Sequence, residues 1–220
     1  MKKIIFTAIA LTLASAAANA GFVTIDSVVP SQSTIGVVNS NDFKGTFAGL
    51  GITTYTLGAS LGVDTAGTVT YYYYGKEAGY SNTFNSGALS YSTGYTPTTQ
   101  NYFGAPIAIG TVAVGPGALD FNFCAYSSGT SLVGCVNNTQ NDALSLGSLQ
   151  SIAMNVTGNV TWLFWDDSGA GPDDNHDDML VKAVFTPAAS VPEPASLVLL
   201  GTGLLGMGIA RRRKAAKAVA

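Results

Sequence analysis

Residues 160–185 read VTWLFWDDSGAGPDDNHDDMLVKAVF. The two ends, 160–165 and 179–185, are short runs of β-branched, aromatic and aliphatic residues without the three-and-four spacing of an amphipathic helix. The middle holds Gly, Pro, Asn and Asp, which break regular structure and start turns. The stretch reads as strand, loop, strand. The same alternation recurs outward, with further strands expected at 22–28, 46–57, 68–74, 88–91, 107–114, 118–126, 132–136 and 149–157. Between 21 and 186 no 3.6-residue periodicity, fixed repeat or composition shift stands out. Ten short strands at this spacing predict an all-β fold, a single antiparallel β-sandwich or jelly-roll-like domain over 21–186.

The loop inside the quoted stretch carries Asp166, Asp167, Asp173, Asp174, Asn175, Asp177 and Asp178. Six carboxylates within thirteen residues repel one another at neutral pH unless something offsets their charge. Calcium is the natural candidate, because it takes roughly six to eight hard oxygen ligands from carboxylates, amides and carbonyls. Asp173, Asn175 and Asp177 alternate, so their side chains can converge on one ion, and with Asp166 they form the candidate ligand set. The segment is not an EF-hand: Asp178 stands where that loop needs Gly, its twelfth place lacks Glu, and its flanks read as strands. The alternative is a solvated turn whose charge keeps the protein soluble.

Nothing nearby promises catalysis. His176 is the only histidine, whereas a zinc hydrolase wants two or three His or Cys ligands. A Ser-His-Asp triad built on His176 lacks a G-x-S-x-G or comparable nucleophile turn. A hydrolase using paired aspartates needs two carboxylates roughly 5 to 10 Å apart across a cleft, which neighbouring loop positions do not ensure. Phosphate-loop and dinucleotide motifs are absent. No catalytic residue is assigned, and the chain reads as non-enzymatic.

Residues 21–190 contain Lys44, Lys76 and Lys182, no arginine and twelve acids, a net charge of −9. Such a domain repels nucleic acid and anionic lipid, which excludes nucleic-acid binding. The missing positive charge sits at the chain ends. Lys2 and Lys3 precede an apolar run from Ile4 to Leu13 and the small residues Ala18-Asn19-Ala20. That order is a secretory signal peptide over 1–20, to be removed by signal peptidase so that the mature chain starts at Gly21.

At the other end, a short linker at 187–190 leads to Val191-Pro192-Glu193-Pro194, an apolar Gly-rich run over 195–210, and Arg211, Arg212, Arg213 and Lys214, before a tail at 215–220. Sixteen residues make about 24 Å of helix, short of the roughly 30 Å of a bilayer core. The cationic cluster would hold that end in the cytoplasm while the rest is exported. These three parts, in this order over 191–214, resemble the PEP-CTERM sorting domain of exported bacterial proteins. The resemblance implies transient inner-membrane insertion and cutting near Pro-Glu-Pro by an exosortase-type enzyme. It further implies release or attachment to an exopolysaccharide matrix at the surface of a Gram-negative bacterium. Acidic strand–loop–strand segments upstream of the tail are also similar to those of this class. The alternative for the tail is an ordinary single-span anchor.

An exported chain meets an oxidising compartment, so Cys124 and Cys135 are expected to form a disulfide rather than stay as buried thiols. The bridge would staple a hairpin turning at Ser127-Ser128-Gly129-Thr130, and closing a loop of about twelve residues is worth about 3 kcal/mol. In the run Tyr71-Tyr72-Tyr73-Tyr74, alternate rings fall on opposite strand faces. Tyr72 and Tyr74 are therefore candidate sugar-contacting residues, with Tyr80, Tyr91, Tyr95 and Tyr102 adding aromatic rings nearby. The alternative is that tyrosine serves as a good strand former with an amphipathic ring. The leading expectation is an exported surface or extracellular-matrix protein, with a carbohydrate-binding module as the second and a jelly-roll hydrolase as the third.

Overall fold

A computed structural model describes residues 20–25, 31–34, 41–95, 99–128, 130–141, 150–167, 175–189 and 201–207. The chain divides into two compact units, Met1–Pro187 and Ala188–Ala220. In the second unit residues 201–207 are helical, and among the described residues no helix is long and apolar enough to cross a membrane. Residues 1–19 of the expected signal peptide over 1–20, the Pro-Glu-Pro triplet and the Arg cluster lie outside the described residues.

The first unit is built from antiparallel β-sheets, as the sequence predicts. Its largest sheet runs in the order β2 (Ser31–Thr34), β3 (Thr54–Leu57), β13 (Ser151–Thr157), β14 (Val160–Asp166), β15 (Met179–Pro187), β5 (Gly67–Lys76). Along the far edge of β5 lie β8 (Gln100–Asn101) and β9 (Ile107–Val114). A four-stranded sheet runs β12 (Ser131–Asn137), β11 (Phe121–Ser127), β6 (Ser81–Ser86), β7 (Leu89–Ser92). A three-stranded sheet runs β1 (Phe22–Ile25), β4 (Ser60–Val63), β10 (Gly117–Ala118).

The quoted stretch supplies the centre of the large sheet, and its pleat explains the layering. Leu163 and Trp165 of β14 point into the cluster shared with Phe123 of β11 and Tyr71 and Tyr73 of β5. The rings of Trp165 and Phe123 stack with centroids 5.4 Å apart across the two layers. Trp162 and Phe164, one residue out of phase, point the other way into a second cluster. Both faces of β14 are therefore covered. That is why its sequence reads as a nearly continuous apolar run.

The second cluster corrects one expectation. Residues 46–57 do not form one strand: a helix, α1 (Lys44–Gly49), precedes β3. Phe43 and Phe47 are four apart, so one helical turn lays both rings on the sheet, where Phe47 packs edge-on to Trp162 at 5.0 Å. Burying a ring of this size contributes about 2 kcal/mol, enough to fix a single turn and a half that has little intrinsic stability. The expected strand 118–126 is also split. Gly117–Ala118 pairs with β4, whereas Phe121–Ser127 pairs with β6 and β12. Strands β4, β6 and β8 stand where the sequence reads as turns. In β6, SNTFNS, the residues Ser81, Asn82 and Ser86 are buried and polar, a pattern that looks like loop until their partners are known.

Cys124 and Cys135 are directly opposite in the β11–β12 ladder and form the expected disulfide. Ser127 pairs with Ser131 at the end of the ladder, so the hairpin turns where the sequence places it.

Candidate functional site

The C-terminal ends of β5 and β14 and the start of β15 meet at one end of the large sheet, because neighbouring strands run antiparallel. This brings Lys76 and Glu77, then Asp166 and Asp167, then Asn175, His176, Asp177 and Asp178 into one region, capped by Asn41 and Asp42 ahead of α1. The four aspartates are not on a solvated turn. Asp166, Asp167, Asp177 and Asp178 are at most 4 % exposed, and His176 is fully buried.

Hydrogen bonds order much of this region. The Asp42 amide donates to Asp177 Oδ2 at 2.7 Å, and the Glu77 amide donates to the Asp177 carbonyl at 2.8 Å. The Asp167 amide donates to Asp178 Oδ2 at 2.8 Å, which folds one carboxylate over the backbone that carries another. Asn82 of β6 ties the two layers together. Its Nδ2 donates to Asp167 Oδ2 at 2.7 Å and to the Asp178 carbonyl at 3.2 Å, while its Oδ1 accepts from Trp165 Nε1 at 3.2 Å. Asn41 Nδ2 donates to the Asn175 carbonyl at 3.0 Å. His176 sits in the left-handed region at φ 57°, a conformation open to few residues with a side chain. Its Nε2 lies 2.7 Å from Ser151 Oγ and its ring 5.3 Å from that of Tyr55.

Negative charge is concentrated here. Burial, and then the negative charge of Asp167, hold the Asp178 carboxyl well above the usual carboxylate range. Lys76 is the nearby cation. Its ammonium donates to the carbonyls of Tyr80 and Gly94, and burial lowers its pKa against the opposing pull of Asp167, Asp178 and Glu77. The other two lysines of the domain are elsewhere, Lys44 exposed on α1 and Lys182 over the rings of Trp162 and Tyr74.

Glu77, Asp177 and Asp178 each offer a carboxylate oxygen, and these atoms lie within 4.8 Å of one another. Oxygens that share a calcium ion at roughly 2.4 Å are at most about 4.8 Å apart, so one hard cation fits this set. Of the four ligands expected from the sequence, Asp177 belongs to it, Asp166 and Asn175 are buried in the same region, and Asp173 lies outside the described residues. Glu77 and Asp178 were missed. Asp178 was visible as one more acid of the loop, whereas nothing local to Glu77 marks it, since it arrives from the end of β5, a hundred residues away.

A cleft of about 330 Å³ at Tyr71, Ser86 and Asp120 and another of about 480 Å³ at Phe22, Thr54 and Asn155 open elsewhere, and neither is lined by the acidic cluster.

Comparison with protein families matches residues 190–214 to the PEP-CTERM protein-sorting motif. The chain carries a PEP-CTERM sorting motif. Comparison with curated proteins and with solved structures finds no match. The matched residues include Val191-Pro192-Glu193-Pro194 and the Arg211–Arg213 cluster with Lys214. The PEP-CTERM motif marks an exported surface protein processed by an exosortase-type enzyme. The tyrosines of the sandwich are divided between core and surface. Tyr71 and Tyr73 are buried, Tyr72 and Tyr74 are half-buried, and of the ten tyrosines Tyr95 alone is exposed. Tyr74 stands edge-on to Trp162 at 4.7 Å and to Phe103 at 5.4 Å, so its ring already belongs to the second cluster.

Proposed function

We propose that this PEP-CTERM protein is a non-enzymatic component of the bacterial surface or extracellular matrix, whose sandwich is completed by calcium. In this reading the tail inserts transiently in the inner membrane of a Gram-negative cell, and the exposed domain becomes part of an exopolysaccharide-rich layer. The observation that carries the calcium part is the convergence of one carboxylate oxygen each from Glu77, Asp177 and Asp178 to within 4.8 Å of one another. Carboxylates held this close repel one another, and a hard cation shared among them offsets that repulsion. Glu77, Asp177 and Asp178 would hold the ion, supplying hard oxygen ligands. Support for the non-enzymatic part comes from the burial of both members of the Ser151–His176 contact, which leaves neither side chain open to solvent. The packing of Tyr74 against Trp162 weighs against a sugar platform lined by tyrosines.

The test has two arms on the exported protein. Millimolar calcium is expected to raise the thermal midpoint by several degrees over chelator, and Glu77→Gln with Asp177→Asn to remove the rise. An unchanged midpoint with calcium in excess discards the ion. Intact-mass measurement is expected to show loss of the residues beyond about Pro194 and, for a matrix component, co-fractionation with extracellular polysaccharide. A freely soluble protein that retains its Arg cluster discards the matrix role.

A further inference from the structure

The start of β1 is held by more than its strand partner. The Gly21 nitrogen donates to Asp64 Oδ1 at 3.1 Å, and the Asp64 amide returns a bond to the Gly21 carbonyl at 3.4 Å. One residue on, the Phe22 amide donates to the Gly158 carbonyl at 2.9 Å, in the turn between β13 and β14. Gly21 is buried, and a Cβ added there would come within 2.9 Å of the Gly158 oxygen, a backbone atom that cannot swing aside. Only glycine fits this position without a shift. Phe22 then enters the core, 5.9 Å from the ring of Phe185.

Gly21 is also the residue that signal-peptide removal would expose, after Ala18-Asn19-Ala20. We propose that Asp64 forms a built-in acceptor for the mature N-terminus, so that processing converts an amide-to-carboxylate hydrogen bond into an ion pair that fastens β1. Hydrolysis of the Ala20–Gly21 peptide bond consumes one water, leaves a carboxylate on Ala20 and an amine on Gly21, and the amine takes a proton at neutral pH. The atom that donated one N–H to Asp64 becomes an ammonium with three donors at the same place, and its positive charge adds Coulomb attraction to the carboxylate. This rests on the signal-peptide reading of 1–20. Among the described contacts Asp64 is the ionisable group against Gly21, since the Gly158-Asn159 turn and Phe185 bring none.

The sign with pH follows. An α-amino group titrates ordinarily near about 7.7 to 8.0, and a carboxylate partner raises that value in the folded protein. The added stability is then complete below the ordinary value and is lost as pH rises through the raised one.

The experiment compares chains that all end at Ala220, one starting at Gly21, one at Ala20, and one at Gly21 with Asp64→Asn. At pH 6.5 the Gly21 chain is expected to melt about 2 °C above the other two, the size of an ion pair whose carboxylate faces solvent in a chain of this length, and the gap should close by pH 10.5. A gap that is absent at pH 6.5, that persists at pH 10.5, or that Asp64→Asn leaves intact overturns the proposal while the signal-peptide reading stands. N-terminal sequencing of the exported protein decides that reading separately: a natural start other than Gly21 overturns both.

Discussion

Two hairpins of the sandwich are closed in opposite ways. In β11–β12 the outer strand lies at a sheet edge, with Leu132 59 % and Val133 47 % exposed, so apolar burial does little to hold it. A disulfide between directly opposed residues does that work. In β14–β15 every residue of β14 from Thr161 to Asp166 is buried, and its two strands are central to the large sheet. Packing is ample there, and the mouth of the hairpin carries the acids. The contrast shows where each kind of closure belongs: a covalent link where packing is thin, and a charge cluster where packing can bear its desolvation cost.

Three changes would break or sharpen this contrast. The largest effect is expected at Asn82→Ala, which strips a buried partner from the Asp167 carboxylate, the Asp178 carbonyl and the Trp165 indole at once. A loss of about 4 kcal/mol in urea unfolding is expected, because buried groups left unsatisfied are costly and a charged one more so. Opening the other hairpin with Cys124→Ser and Cys135→Ser should cost about 3 kcal/mol. Hydrogen exchange should then quicken in β12 before it does in β14, and uniform quickening would contradict the contrast. The smallest effect is in pH. The Asp178 carboxyl is raised in the folded state, so in chelator the folded protein binds its proton more tightly than the unfolded chain does. Stability should therefore be highest in mild acid and fall as pH rises through the raised value, whereas Asp178→Asn flattens that slope. A melting temperature that climbs from pH 5 to pH 8 would reverse the sign.

Local patterns carried the fold further than the site. The expected strand 107–114 coincides with β9, and 160–165 and 179–185 fall within β14 and β15, because bulky apolar runs bounded by turn residues act locally. Helix α1 was not legible, since six residues holding two glycines gain their helicity from Phe43 and Phe47 meeting the sheet. Strand β6 was hidden for the converse reason, its Ser and Asn side chains being satisfied by residues far along the chain. The acidic segment was visible as charge, but its burial was not, because that depends on Asn41, Glu77 and Asn82 converging from three other elements.

Strand β15 has a directional consequence. It begins at Met179, beside the acids, and finishes at Pro187, where the first compact unit ends and the sorting segment follows in the chain. Phe22 packs on Phe185 near that finish, so the entry and exit of the sandwich share one pole. Nine residues of extended backbone reach about 30 Å, which places the carboxylates at the opposite pole. Within the first unit the buried acids and the Gly21–Asp64 contact thus lie a strand's length apart, so that either can be perturbed without touching the other.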